Sequence, residues 1–165
     1  QKDELFNKTK ELISQAIETT REIANDLIPH ELNRFGLVTS LKSLIDKINM
    51  VSETKFSFLS EKYNNDLPKN KKLIIYRIVN ELINNTMKYA KAKNAHIELV
   101  SDSNKVSLIY SDDGLGFDVD NVVKNGEGMG INNIINRIKS IDGKCEIRSF
   151  DKNGVNFIIE LKIND

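Results

Sequence analysis

Three groups of residues in this chain of 165 have types and spacings suited to chemistry on a phosphorylated ligand. Glu81, Asn84, Asn85 and Lys88 form the first. On a helix Glu81 and Asn85, four apart, and Lys88, three further on, project from neighbouring turns. A carboxylate, an amide oxygen and an ammonium on one strip can supply a base, a Mg²⁺ ligand and a charge for phosphate. The same residues also suit an ordinary solvent-facing helix side.

Asp112, Gly114 and Gly116 form the second group, directly after an apparent strand ending at Tyr110. Alternate glycines let the backbone approach a ligand closely, and a carboxylate at a strand end can accept a hydrogen bond from an amino group such as adenine's. Without a ligand this is a solvated Asp-Gly turn. The third group, Gly126, Gly128 and Gly130, precedes a helix that starts near Ile131. Glycines there turn backbone N–H groups toward phosphate oxygens, and the helix N-terminus adds partial positive charge. No Gly-Lys-Ser/Thr follows and no βαβ unit surrounds the glycines, so this is neither a Walker loop nor a dinucleotide fingerprint. Taken alone it also reads as a flexible loop.

The elements that must position these groups follow from periodicity. Residues 5–28 carry apolar positions every three or four residues and read as one long helix ended by Pro29. Its narrow stripe needs cover, either from a partner helix or from the globular part. After Gly36, Leu37, Leu41, Leu44, Ile45 and Ile48 predict a second helix, and residues 55–59 predict a strand. The helix over 72–90 turns Ile75, Ile78, Val79, Leu82, Ile83, Met87 and Ala90 to one side as core. Strands follow at 96–100 and 106–110, then a long loop over 112–130 without periodicity. Ile131, Ile134, Ile135, Ile138 and Ile141 predict a helix ended at Gly143. Strands over 144–149 and 155–163 close the chain as a hairpin. Two hairpins among these elements predict a three-helix layer over a mixed sheet.

Composition narrows the partners. Lys plus Arg and Asp plus Glu balance at 24 each, which excludes a generally basic surface for nucleic acid or anionic lipid, so any anion site is local. The single cysteine, Cys145, has no partner at metal-ligand spacing and suits a reducing, cytoplasmic compartment. No apolar run approaches the roughly 18–20 residues that span a bilayer, and with no initiator Met or signal peptide the chain reads as cut from a longer one.

In their fixed order, the three groups resemble the ATPase domain shared by sensor histidine kinases, gyrase and Hsp90, over the chain from about Phe35 onward. Residues 76–92, YRIVNELINNTMKYAKA, are similar to the kinase asparagine box. Leu27, Ile28, Pro29, His30, Glu31 and Leu32, with Phe35, Gly36 and Leu37, resemble the end of the dimerization hairpin in the NarL/DesK-like class. The resemblance implies an α+β two-layer sandwich of Bergerat type, a mixed, mostly antiparallel sheet under three helices, preceded by one long helix. It divides the chain into part of a dimerization hairpin (1–34) and an ATP-binding domain (35–165). It makes Asn85 the Mg²⁺ ligand, Glu81 the catalytic group near the transferred phosphate, and Lys88 a phosphate contact, with Asn84 and Tyr89 also in the nucleotide site. Asp112 reads the adenine amino group, and Gly114 and Gly116 shape the pocket. Gly126, Gly128, Met129, Gly130 and Ile131 form the hinge and base of a lid. Two positions depart from the pattern: Tyr89 stands where His is common, and Val155 follows Gly154 where Thr is common.

A kinase of this kind phosphorylates a histidine on its own hairpin. Neither His30, directly after Pro29, nor His96, at the start of a strand, matches that acceptor, so the resemblance puts it upstream of Gln1. The implied partners are a second copy, paired through the hairpin, and a response-regulator receiver domain. No nucleic acid or membrane contact is expected for this piece, whose parent reads as a membrane-bound sensor. Alternatives are a switch module that only binds ATP, another ATPase of the superfamily, and an anti-sigma-factor serine kinase. The long first helix argues against the last two.

Overall fold

A computed structural model describes residues 30–64, 67–119, 121–122, 129–149 and 153–163, with the backbone alone for His30 and Met129. The expected long helix over 5–28 and the two glycines Gly126 and Gly128 lie outside these residues.

The element order is α1 (His30–Asn49), β1 (Lys55–Leu59), α2 (Lys69–Asn85), β2 (Asn94–Ser101), β3 (Lys105–Asp112), α3 (Met129–Lys139), β4 (Lys144–Ser149) and β5 (Val155–Lys162). The strands form one sheet in the order β1-β2-β3-β5-β4. β1 runs parallel to β2, and the remaining pairs are antiparallel. The single parallel step is bridged by α2, because parallel neighbours need a crossover rather than a tight turn. The mixed sheet with its helical layer is the arrangement expected from the periodicities.

Alternation along the strands sends one set of side chains toward the helices. Phe56, Ile97, Leu99, Leu108, Tyr110, Phe157 and Ile159 form that face, and Leu37, Leu41, Ile45, Ile75, Ile78, Val79, Ile83, Ile134 and Ile138 cover it from the helices. α2 is the central helix and contacts both α1 and α3. Its buried positions, Ile75, Ile78, Val79, Leu82 and Ile83, repeat every three or four residues, which leaves Glu81, Asn84 and Asn85 on its other side.

Several boundaries differ from the sequence expectations. The chain is already helical from His30, and Gly36, at φ 78° and ψ 177°, kinks α1 where an unbroken helix would need negative φ. Leu32, ahead of this kink, is buried in the core, and Glu31 pairs with Lys47 at 3.0 Å. α2 starts three residues before the expected Lys72, directly after Pro68, a residue that accepts the start of a helix but not its interior. Its last turn, Thr86–Ala90, is π-helical and ends at Lys91 in a left-handed conformation. β3 extends past Tyr110, so Asp112 is its final residue rather than the first of a loop. The presumed loop after it contains a helical turn capped by Asp118, whose carboxylate accepts from the Asn121 N–H at 3.0 Å. Past α3 the left-handed residue is Asp142, not Gly143. Gly143 answers to space instead, since a Cβ there would lie 2.5 Å from a Leu161 methyl.

Edge strand β1 is blunted locally. The Asn49 side chain accepts from the Phe56 N–H at 2.9 Å and donates to the Phe56 carbonyl at 2.8 Å, filling two backbone positions that a further strand would otherwise take.

Ile78→Ala removes a fully buried side chain from the α2 seam, and urea unfolding should show a loss of about 2–5 kcal/mol. Leu59→Ala, at a position 46% exposed, should stay within about 0.5 kcal/mol. At Gly154, φ is 73° and a Cβ would fall 1.8 Å from the Asp112 carbonyl oxygen. Gly154→Ala should therefore destabilise by about 2 kcal/mol or more, with the melting temperature as the readout.

Candidate nucleotide-binding site

Glu81 and Asn85 sit on adjacent turns of α2 because the apolar seam beneath them fixes the rotation of the helix. Both side chains converge on the first turn of α3. A Cβ at Gly130 would lie 2.5 Å from Glu81 Oε1 and 3.1 Å from both amide atoms of Asn85. A side chain at 130 would displace the Glu81 carboxylate, so two of the three predicted groups meet at one point. Gly130 lies inside α3 rather than ahead of it, and Ile131 is buried behind it as core.

Asn85 Nδ2 is shut off from solvent and has no hydrogen-bond partner among the described residues. A buried amide atom left unpaired costs about 1–3 kcal/mol, so such atoms mark sites kept for something else. The oxygen and nitrogen of an amide exchange by half a turn, which would present an oxygen in the same place. Beside the Glu81 carboxylate, that is a hard-oxygen donor set compatible with Mg²⁺. Among the described residues no cluster of three His, Cys, Asp or Glu could hold a metal ion. An ion here would have to take further ligands from phosphate and water, as Mg²⁺ commonly does.

The second group assembles at the end of β3, where the two adjacent aspartates separate by role. Asp113 accepts from the Lys93 and Asn94 N–H groups at 2.7 and 2.9 Å and from Asn94 Nδ2 at 2.9 Å. The backbone hydrogen bond from Asn94 leads the interactions that hold its carboxyl below the ordinary aspartate range. Asp113 thus ties the start of β2 to the end of β3. Asp112 is held differently: Oδ1 accepts from the Gly114 N–H at 2.9 Å, and Oδ2 from the Tyr110 hydroxyl at 3.1 Å. The remaining lone pairs of this carboxylate can accept from a ligand.

Glycine is required around Asp112 for contact reasons. A Cβ at Gly114 would lie 2.5 Å from the Ala90 carbonyl, with which the Leu115 N–H bonds at 2.8 Å, so the loop is pinned to the π-helical turn. Gly116 has φ 69°, a left-handed conformation that side chains disfavour. Phe117 N–H then donates to Ser149 Oγ at 2.7 Å and fastens the loop to β4. On the π turn Lys88 is exposed and Tyr89 is 70% exposed, so both stand at the rim. Asn84 is half-buried between them and Glu81 along the helix.

Two residues at this site drew no notice from spacing. Thr86 lies on the apolar stripe of α2, four residues after Leu82, and Tyr110 alternates with Leu108 and Val106 on the core face of β3. Both are buried, and their hydroxyls are hydrogen-bonded to each other next to Asp112. A hydroxyl on each of two otherwise apolar stripes is the signal that identifies them, since buried hydroxyls need partners. His96 is on the opposite face of the sheet, bonded to Ser57 at 2.9 Å, and takes no part in the site.

A family model described as "Histidine kinase-, DNA gyrase B-, and HSP90-like ATPase" matches residues 70–165. The chain is 30% identical over 153 residues to the sensor histidine kinase ComP of Bacillus subtilis (strain 168), covering 93% of this chain and 20% of that protein. It is 24% identical over 154 residues to the signal transduction histidine-protein kinase/phosphatase DegS of Brevibacillus brevis, covering 93% of this chain and 39% of the relative. It therefore spans a fifth to two fifths of these relatives' lengths. Among solved structures, a blue-light activated histidine kinase of Erythrobacter litoralis has the same fold, with a TM-score of 0.74 at 17% identity over 91% of this chain and 50% of that one. With the family model covering more than half of its length, the chain belongs to the histidine kinase-, DNA gyrase B- and HSP90-like ATPase family, as an ATP-binding domain of the sensor histidine kinase kind.

Proposed function

We propose that this domain binds Mg-ATP and passes the γ-phosphoryl group to a histidine outside the described residues, from which it moves to an aspartate of a response-regulator receiver domain. The convergence of Glu81 and Asn85 on the glycine start of α3 is the observation that carries this reading. It joins an acid, a metal-type oxygen donor and a helix N-terminus, the three needs of phosphoryl transfer.

Asp112 accepts a hydrogen bond from the adenine amino group, while Gly114 and Gly116 let the loop lie close to the base. Backbone N–H groups at the start of α3, at Gly130 and Ile131, face phosphate oxygens, and Gly126, Gly128 and Met129 belong to the lid ahead of them. Asn85 supplies an oxygen to Mg²⁺, whose chemistry is to neutralise charge on the phosphates. Lys88 adds positive charge at the rim, and Asn84 and Tyr89 border the nucleotide. In the transfer, an imidazole nitrogen bonds to the γ-phosphorus as the bond to the bridging oxygen breaks, and ADP leaves with the electron pair. Glu81 orients the imidazole by accepting a hydrogen bond from its other ring N–H. Residues 1–34 are then the second half of a dimerization hairpin that supplies the acceptor from its first half. Two copies pair through that hairpin in a cytoplasmic part of a membrane-bound sensor. No helix of the described residues is long and apolar enough to cross a membrane.

Calorimetry tests the binding. Asp112→Asn should weaken Mg-ADP at least about tenfold, since a site built around a donor-accepting carboxylate then faces the base with an amide; equal affinity in both proteins would sink the adenine assignment. Asn85→Ala should erase most of the gain in ADP affinity that Mg²⁺ provides, and an undiminished gain would remove Asn85 from the metal. In a longer chain carrying the upstream helix, labelled ATP should yield acid-labile phosphohistidine. Glu81→Gln should slow this by about 10²–10⁴-fold with ADP affinity held within about threefold. A parent chain that binds ATP yet never becomes labelled would instead make the domain an ATP-operated switch.

A further inference from the structure

Asp112 is not oriented by its loop alone. Thr86 Oγ1 lies within hydrogen-bond reach of the Leu82 carbonyl at 3.0 Å, of the Tyr110 hydroxyl, and of Asp112 Oδ2 at 3.5 Å. Tyr110 Oη reaches Thr86 Oγ1 and, at 3.1 Å, Asp112 Oδ2. Each hydroxyl has one proton to give. A carboxylate is the stronger acceptor, so the Tyr110 proton goes to Oδ2, and Thr86 donates to the Tyr110 oxygen or to the Leu82 carbonyl.

Three further observations make the donor direction firm. Tyr110 is 1% exposed, and burial followed by the charge of Asp112 pushes its phenol far above the ordinary tyrosine range, so it remains a donor at any working pH. Its ring is fixed edge-on against Phe157, with centroids 6.1 Å apart at 71°. Val155, the cross-strand neighbour of Asp112, is buried and has no side-chain donor to offer in its place.

We propose that Tyr110, with Thr86 behind it, is the positioning residue that sets the purine selectivity of this site. With a donor on each oxygen, Gly114 N–H on Oδ1 and Tyr110 on Oδ2, the carboxylate cannot swing about its last torsion, and what it presents outward is acceptor only. A purine with an amino group at position 6 is accepted. One with a carbonyl there sets two acceptors face to face and is rejected, and rejection is strong where a buried polar group is left unpaired. This inference rests on the reading of Asp112 as the adenine-recognising residue.

The test is calorimetry of the 165-residue chain with Mg-ADP and Mg-IDP, the second differing from the first in carrying the 6-carbonyl. Tyr110→Phe keeps the ring contact and removes the donor. It should raise the ADP dissociation constant about tenfold and leave that of IDP within about twofold, so the ADP-over-IDP ratio falls about tenfold. Thr86→Val should lower the ratio about threefold, whereas Thr86→Ser, which restores the hydroxyl, should return it to the starting value. An unchanged ratio in Tyr110→Phe overturns the proposal, as does equal weakening toward both nucleotides, which would mean general damage. Asp112→Asn in the same titration separates the two ideas. If it loses ADP while Tyr110→Phe keeps its ratio, adenine recognition by Asp112 stands and the role of Tyr110 falls; if it binds ADP as before, both fall.

Discussion

The seam of Ile75, Ile78, Val79, Leu82 and Ile83 against the sheet is the constraint on which the site depends. Each of these side chains contributes about 1.5–3 kcal/mol of hydrophobic burial, and together they fix the rotation of α2 about its axis. Glu81 and Asn85 have no freedom of placement once that rotation is set. Sliding the helix by one residue along the sheet would turn them about 100° away from α3. Stability and function therefore lie on opposite sides of one helix, and the apolar side decides where the polar side points.

A second layer of control comes from close backbone approaches. Gly130, Gly114 and Gly154 each stand where a single methyl group would collide, respectively with Glu81, with the Ala90 carbonyl and with the Asp112 carbonyl. Three elements distant in sequence thus contact one another through bare backbone around Glu81, Asn85 and Asp112. The π-helical turn after Asn85 belongs to the same device, since its Ala90 carbonyl receives the Leu115 N–H and holds the loop after β3. π-type turns recur at functional sites, and here the turn places one of the unpaired carbonyls of the helix end, that of Ala90, where the loop after β3 can donate to it.

Much of the fold was legible because it follows local periodicity. The α2 and α3 stripes and the alternation in β1 to β5 predicted these elements to within a few residues, whereas α1 begins at His30, ahead of the expected start after Gly36. The misses have physical causes. Asp118 opened a short helical turn within a stretch too brief to show a period, and the left-handed position after α3 fell to Asp142, while Gly143 is needed for the space beside Leu161. Relations between elements were harder to see. Asp112 and Asp113 are chemically identical neighbours, and only the pairing of β2 with β3 makes Asp113 a strand tie, while Asp112 is held by Gly114 and Tyr110 with lone pairs left over for a ligand.

Sequence by itself determined the inventory and its order: a helix with Glu81 and Asn85 on its polar side, a strand ending in Asp-x-Gly-x-Gly, and a glycine start to a further helix. These are short-range facts, set by side-chain type, by the periods of 3.6 and 2, and by the conformational freedom of glycine. Tertiary structure decided which of these groups touch. Gly130 meets Glu81 and Asn85, and Thr86 and Tyr110 close on Asp112, only after α2, α3 and β3 pack on a common core. Spacing along one chain carries no record of such contacts, because residues 24 and 45 positions apart, such as Thr86 with Tyr110 and Asn85 with Gly130, are brought together by burial of apolar surface elsewhere.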